Sequence, residues 1–419
     1  MRTSRYLIIG FATALGCTSP AAPIDGSGGT TAGSGGTGQG GSGGTPATGG
    51  AGVTGTGGLV GTGGQGLGGA TGLGGATGLG GATGLGGATP FAPSYFIGAD
   101  LSRVQTDAPG TLYTDNDGTQ KDLLVLLKGH GFNYVRVRTF VDPRAADGNS
   151  KTAGFYDVPH TVTFGKRIKD AGMGFLLDFH YSDNWADPGK QCVPIAWQGF
   201  TTIAQLATAV RDYTRDAITQ LVAGGARPDM VQIGNEITPG MLIHRCDAGG
   251  IPIAGMNNPV TGAVSNWTNL GTLLKGAAQG IKDVDTGIKI MLHIDRAQSF
   301  PTSNSFIMNA MAQGVPFDVF GESAYTLYQG PPAGWMSTFT QLAAAFPTLK
   351  FVGAEYGPEE RALNDILFNL PNRQGIGTFY WEATHSGADN AGHLLFSNRV
   401  AQPDLLLYDL MKTAYASRL

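Results

Sequence analysis

Two glutamates close apolar, β-branched runs of this sequence, Glu236 in MVQIGNEI and Glu355 in KFVGAEYG. A carboxylate taken out of water is costly unless a neighbour uses it, so a Glu at the end of a packed strand either caps the surface or does chemistry. Two such groups held about 5 to 5.5 Å apart can break an acetal linkage between sugars with retention: one attacks the anomeric carbon while the other protonates the departing oxygen and later activates water. The two need opposite ionisation states. An adjacent guanidinium, Arg136 or Arg138, would keep Glu355 charged, whereas partial burial beside that charge would keep Glu236 protonated. Asn235, next to Glu236, is placed to bond a sugar 2-hydroxyl, an interaction that strengthens toward the transition state.

Further chemistry-bearing residues end the other apolar runs: Asp100, Asp178 with His180, His293 with Asp295, Tyr325 and Trp381. Period-two spacing puts Arg136 with Arg138, Asp178 with His180, and His293 with Asp295 on common strand faces. All of these are candidates to contact substrate, as are Asp183 and Trp185 in the loop SDNWADPGKQ. Each has a plainer reading. Asp178 and His180 are also a natural structural pair, Arg138 also a counter-ion for Asp100, and Trp185 and Trp197 also loop packing; in a carbohydrate site such indoles stack on the CH faces of sugars. A metal-dependent hydrolase using Asp178, His180, His293 and Asp295 is a rival reading, but it leaves Glu236 and Glu355 without a task. A noncatalytic carbohydrate binder is another, and it needs neither glutamate.

The elements that must position these groups follow from periodicity. Short β-branched runs begin at residues 95, 132, 175, 230, 289, 317, 350 and 375, and helix-like segments such as KDLLVLLKGHG and Ile203 to Val222 separate them. Strands alternating with helices in this number predict a single parallel (β/α)8 barrel of the α/β class, whose C-terminal mouth is where sites assemble. An open doubly wound sheet is disfavoured because no Gly-rich phosphate turn follows the first run.

Residues 93 to 419 therefore form the expected catalytic domain. Ahead of it, residues 26 to 87 hold 32 of the chain's 68 glycines, no charged residue lies between Asp25 and Asp100, and GLGGAT repeats four times from Gly66 to Thr89. Residues 18 to 92 read as a disordered tether with too few apolar side chains for a core. Residues 1 to 17 combine Arg2 and Arg5 with a short apolar stretch and end in ALGC, an export signal whose Cys17 would carry lipid, giving a cell-surface lipoprotein or, with ordinary cleavage, a secreted protein. Lipid on Cys17 would attach the chain to a membrane. The remaining Cys192 and Cys246 are an even pair in an exported domain and are expected to form a disulfide between the loops after the third and fourth strands. A net charge of −4 without a basic stripe argues against nucleic acid as a partner and suits an uncharged polysaccharide. A monomer needing no cofactor is the expectation.

The stretches GADLS, NYVRVRTFVDP, LLDFHYSDNWADPGKQ with the Pro194 and Trp197 that follow, and MVQIGNEITPGML resemble glycoside hydrolase family 53, the arabinogalactan endo-β-1,4-galactanases, over roughly residues 96 to 410. The resemblance implies internal, retaining cleavage of β-1,4-galactan in pectic side chains, with Glu236 as acid/base and Glu355 as nucleophile. A retaining β-glycanase of the same clan acting on another plant polysaccharide is the alternative. Departures lie in ESAYTLYQG, where the family pattern Ser-Tyr-Tyr-Pro is kept only at Tyr325, and in the short WEATHSGADNAGH segment; both bear on the outer subsites. Some family members hold calcium in their late loops, for which Asp389 and Asn390 offer oxygen ligands; no metal is assigned.

Overall fold

A computed structural model describes residues 94–357, 360–384 and 394–419. The export segment with Cys17, the Gly-rich tether, and Asp389 with Asn390 lie outside the described residues.

Eight parallel strands close into a barrel: β1 (Phe96–Asp100), β2 (Tyr134–Thr139), β3 (Gly174–Phe179), β4 (Met230–Ile233), β5 (Lys289–Ile294), β6 (Val319–Ala324), β7 (Lys350–Tyr356) and β8 (Gly375–Tyr380). Each strand pairs with the next in chain order and β8 returns to β1, so the sheet has no open edge. These are the eight runs expected from the sequence, and the fold is the (β/α)8 barrel.

Among the described residues, seven helices of seven residues or more link successive strands on the outside and an eighth follows β8: α1 (Leu123–Gly129), α2 (Val158–Asp170), α3 (Ile203–Ala223), α4 (Trp267–Lys282), α5 (Phe300–Ala312), α6 (Pro332–Ala345), α7 (Glu360–Phe368) and α8 (Leu407–Ala414). Their sequences carry the start signals the geometry needs. Thr202 and Gln205 form a reciprocal capping box at the head of α3, and Asp122, Asp157 and Asn266 accept backbone N–H bonds at the heads of α1, α2 and α4. Along α3, Leu206, Val210, Thr214, Ala217, Ile218 and Leu221 are buried, the stripe that a 3.6-residue period turns toward the sheet.

Inside the barrel the inward positions change character along each strand. Near the N-terminal end, Phe96, Tyr134, Leu176, Met230, Met291, Val319, Val352 and Phe379 fill the lumen as one apolar cluster. Toward the C-terminal end the inward positions of the same strands become Asp100, Arg136, Arg138, Asp178, Gln232, His293, Ser323 and Glu355, all buried. Above this polar layer lies the mouth.

Candidate active site

Strand β4 ends at Ile233, and the chain then turns through Gly234 at φ +98°, where a Cβ would come within 2.7 Å of the Ile237 side chain. Glu236 follows at φ +45°, a left-handed conformation uncommon for a residue with a side chain. This turn lifts the Glu236 carboxyl into a cavity of about 670 Å³ at the barrel mouth, which Glu355 of β7 also lines. Asn235, Asp295, Tyr325, Trp381 and Trp185 share the wall with them.

The two carboxyls meet different surroundings. Glu355 lies 2.9 Å from Nη2 of Arg136 and accepts a bond from the Tyr325 hydroxyl at 3.0 Å. Glu236 has no cation beside it among the described residues; its Oε1 accepts from the Ser323 hydroxyl at 2.6 Å. Burial, together with the negative charges of Glu355 and Asp295, pushes the Glu236 carboxyl well above the usual range. Burial also raises Glu355, to about 7, while Arg136 and Tyr325 pull it back. Glu355 therefore ionises first, and the cavity holds a carboxylate and a carboxylic acid together.

Arg136 is the centre of the layer beneath. Fully buried, it donates to Asp100 at 2.9 Å, Asp178 at 2.8 Å and the Asn235 side-chain oxygen at 2.7 Å. Its acidic neighbours raise its pKa although burial alone would lower it, so it stays charged. Asn235 in turn donates to the Ala186 carbonyl at 2.8 Å, which leaves one amide N–H for the cavity.

His293 sits between Asn235, 3.0 Å from Nδ1, and Ser323, 2.9 Å from Nε2. Burial and the Arg136 charge lower its pKa well below the usual range, so the ring is neutral. The neutral ring carries one proton and lies between two acceptors, the Ser323 oxygen at Nε2 and the Asn235 side-chain oxygen at Nδ1. Gln232 Nε2 lies 3.1 Å from Nδ1.

Several residues expected at the substrate surface stand behind it instead. Asp100, Arg136, Arg138, Asp178 and His293 form the floor and are covered by the cavity lining. His180 accepts the Ala186 amide at Nδ1, and its Nε2 stands 3.0 Å from the Asp178 carboxylate, both groups buried beneath the cavity lining. Asp183 accepts the amides of Asp142 and Ile195 at 2.9 and 2.8 Å and so ties the loop after β2 to the loop after β3. Burial lifts its pKa to about 7. In SDNWADPGKQ only the segment from Trp185 onward reaches the cavity, because Asn184 is committed to the Asp147 carbonyl and the Trp185 amide. Trp185 covers Arg138, whose guanidinium carbon is 3.9 Å from the ring centroid, and its own ring is 5.8 Å from that of Trp381. Trp197 packs on Tyr213 away from the cavity.

Cys192 and Cys246 are bonded, with Cα atoms 5.9 Å apart. The bridge joins the loop after β3 to a hairpin after β4 (His244–Cys246 with Pro252–Asn257). Among the described residues, no three His, Cys, Asp or Glu side chains cluster as a metal site.

Sequence reading overlooked Ser323 and Glu382. Both were detectable: Ser323 lies two residues before Tyr325, on the same alternation, and Glu382 follows Trp381 at the end of an apolar run, as Glu236 and Glu355 end theirs.

The family model for glycosyl hydrolase family 53 matches residues 96–357, which contain both glutamates. The chain belongs to glycosyl hydrolase family 53. This family 53 hydrolase is 40% identical over 322 residues to an uncharacterized protein in the bgaB 5′ region of Niallia circulans, covering 69% of this chain and 83% of that one. It is 36% identical over 341 residues to the arabinogalactan endo-β-1,4-galactanase of Thermothelomyces thermophilus, covering 72% of this chain and 94% of the relative. Among solved structures, the GH53 catalytic domain of Ignisphaera aggregans superposes with a TM-score of 0.66 at 29% identity, covering 76% of this chain and 96% of that one.

Proposed function

We propose that this family 53 hydrolase is an endo-β-1,4-galactanase that cleaves galactan and arabinogalactan side chains of pectin with retention of anomeric configuration. The observation that carries the mechanism is the asymmetry of the two cavity carboxyls, Glu355 against a guanidinium and Glu236 against a neutral hydroxyl. Glu355 attacks the anomeric carbon as a carboxylate, with Arg136 and Tyr325 holding its oxygens in place. Glu236 gives its proton to the departing glycosidic oxygen. Once that proton has gone, Ser323 supplies a hydrogen bond to the new carboxylate, and Glu236 then takes a proton from the water that opens the glycosyl ester on Glu355. The remaining amide N–H of Asn235 faces the reacting sugar's 2-hydroxyl, and Trp381 forms the apolar floor beneath that sugar.

Asp100, Arg136, Arg138, Asp178, His180 and His293 act as positioning residues in this scheme, and Asp183 braces the loop that carries Trp185. Residues 93 to 419 are the catalytic domain, delivered by an export signal and held on its tether by lipid at Cys17 or released as a monomer; radiolabelled palmitate incorporation that disappears in Cys17→Ala tests the anchor. No described helix is long and apolar enough to cross a membrane.

Initial rates on purified galactan, carboxymethylcellulose and mannan test the substrate. Galactan is expected to be cut far faster, because linkage through galactose's axial O4 bends the chain, and polar groups placed for its hydroxyls are left unpaired by the straighter chains of the 4-equatorial epimers. Comparable rates on glucan or mannan would overturn the substrate, and proton NMR showing the α-anomer as first product would overturn retention.

A further inference from the structure

Glu382 has no part in the chemistry above, yet the fold treats it as it treats Glu236. It stands two residues past the end of its strand, adopts the same left-handed backbone at φ +45°, is buried, and lines the cavity beside Trp381. One carboxylate oxygen, Oε1, accepts from Nη1 of Arg138. The other, Oε2, is buried and accepts no hydrogen bond among the described residues. The Nε of Arg103 lies 3.5 Å from it, an ion-pair distance beyond that of a charge-assisted hydrogen bond, and Arg103 is itself part of the cavity wall.

A buried acceptor left unmade costs more than a made bond returns, and a strained backbone persists only where its surroundings hold it. Both at one residue mark an atom awaiting a donor. Neutralising Arg138 does not account for them, since Oε1 alone does that and Asp100 lies 3.7 Å from the same nitrogen. The missing donor has a definite chemistry. A sugar stacked on Trp381 presents its CH face to the indole and its hydroxyls around its rim, where the next residue in the chain stands.

We infer that Glu382 is a specificity-determining residue whose free oxygen accepts a hydrogen bond from one hydroxyl of the galactosyl unit stacked on Trp381. Arg103 offers its N–H to the lone pairs of the same hydroxyl. The inference rests on the galactanase reading and adds to it a contact that ranks sugars by the position of a single hydroxyl.

The test uses the whole chain, the variants Glu382→Gln and Glu382→Asp, and nitrophenyl β-1,4-galactobiosides lacking one hydroxyl at a time on the reacting sugar. In the parent protein, one deoxygenation is expected to lower kcat/KM by about 10- to 100-fold, the range of a hydrogen bond to a charged group. In both variants the intact substrate should show a comparable loss while that same deoxygenation costs little further, the non-additivity of two partners in one contact. Glu382→Asp retains the charge beside Arg138, and melting curves establish that each variant is folded. If every deoxygenation costs parent and variants equally, Glu382 serves Arg138 alone and the inference falls. If the parent protein cleaves neither galactan nor the intact galactobioside, the galactanase reading falls first and takes the inference with it.

Discussion

The two ends of the barrel interior are built from the same eight strands and filled in opposite ways. At the N-terminal end, Met230, Met291, Val319, Val352 and the rings of Phe96, Tyr134 and Phe379 pack as an apolar plug. One inward step along the same strands, two guanidiniums, Arg136 and Arg138, sit among Asp100, Asp178, Glu355 and Glu382. The plug is non-directional and gains stability from burial alone. The polar layer takes its charges out of water and is held by their pairing. Apolar packing tolerates reshaping, whereas each group in an ionic layer depends on its named partners.

The largest effect should come from the carboxyls. Glu355→Gln is expected to remove more than about a thousandfold of kcat on galactan, since the covalent route is lost. Glu236→Ala should be comparably slow on galactan but retain activity on nitrophenyl galactobioside, with azide restoring turnover and giving the β-glycosyl azide. An α-configured azide would reverse the assignment.

Next in size is the layer's dependence on its cation. Arg136→Met leaves Asp100, Asp178 and Glu355 without their shared guanidinium and should cost about 3 to 5 kcal/mol in a urea denaturation series. A midpoint unchanged from the parent protein would show that the layer is less ionic than described.

Smaller still is an effect on pH alone. Activity needs Glu355 ionised and Glu236 protonated, so kcat/KM should be bell-shaped, its acid limb set by Glu355 and its alkaline limb by Glu236. Ser323 holds the Glu236 pKa down. Ser323→Ala therefore raises it further and should move the alkaline limb upward by about half to one pH unit, with the acid limb in place. A downward move would show that Ser323 stabilises the protonated form instead.

The smallest change belongs to the plug. Met291→Leu conserves volume and should cost under about 1.5 kcal/mol while leaving kcat on galactan unaltered. A large fall in kcat would mean that the two ends are mechanically coupled.

The architecture was legible because each strand announces itself twice, by an apolar start and a polar end, as in MVQIGNEI and KFVGAEYG. Glu236, Glu355, Asn235, Tyr325 and Trp381 could be placed at the mouth for the same reason. What the sequence does not show is who holds whom. His180 and Asp183 have the residue types of ligand-binding groups, but His180 is held against Asp178 and the Ala186 amide, and Asp183 accepts backbone amides brought near only by folding. Ser323 shares the alternation of Tyr325, but its role does not show there, since a serine in a strand is ordinary until a carboxyl from a strand two places away arrives beside it.

The left-handed backbone shared by Glu236 and Glu382 sets stability against function at two of the places where the chain leaves its strands for the mouth. Glycine meets no Cβ penalty there, so the conformation that aims each carboxyl would be easier for the chain to adopt with no carboxyl at all. A screen that selects for thermal resistance alone should therefore be drawn toward replacing these glutamates and would discard activity as it went.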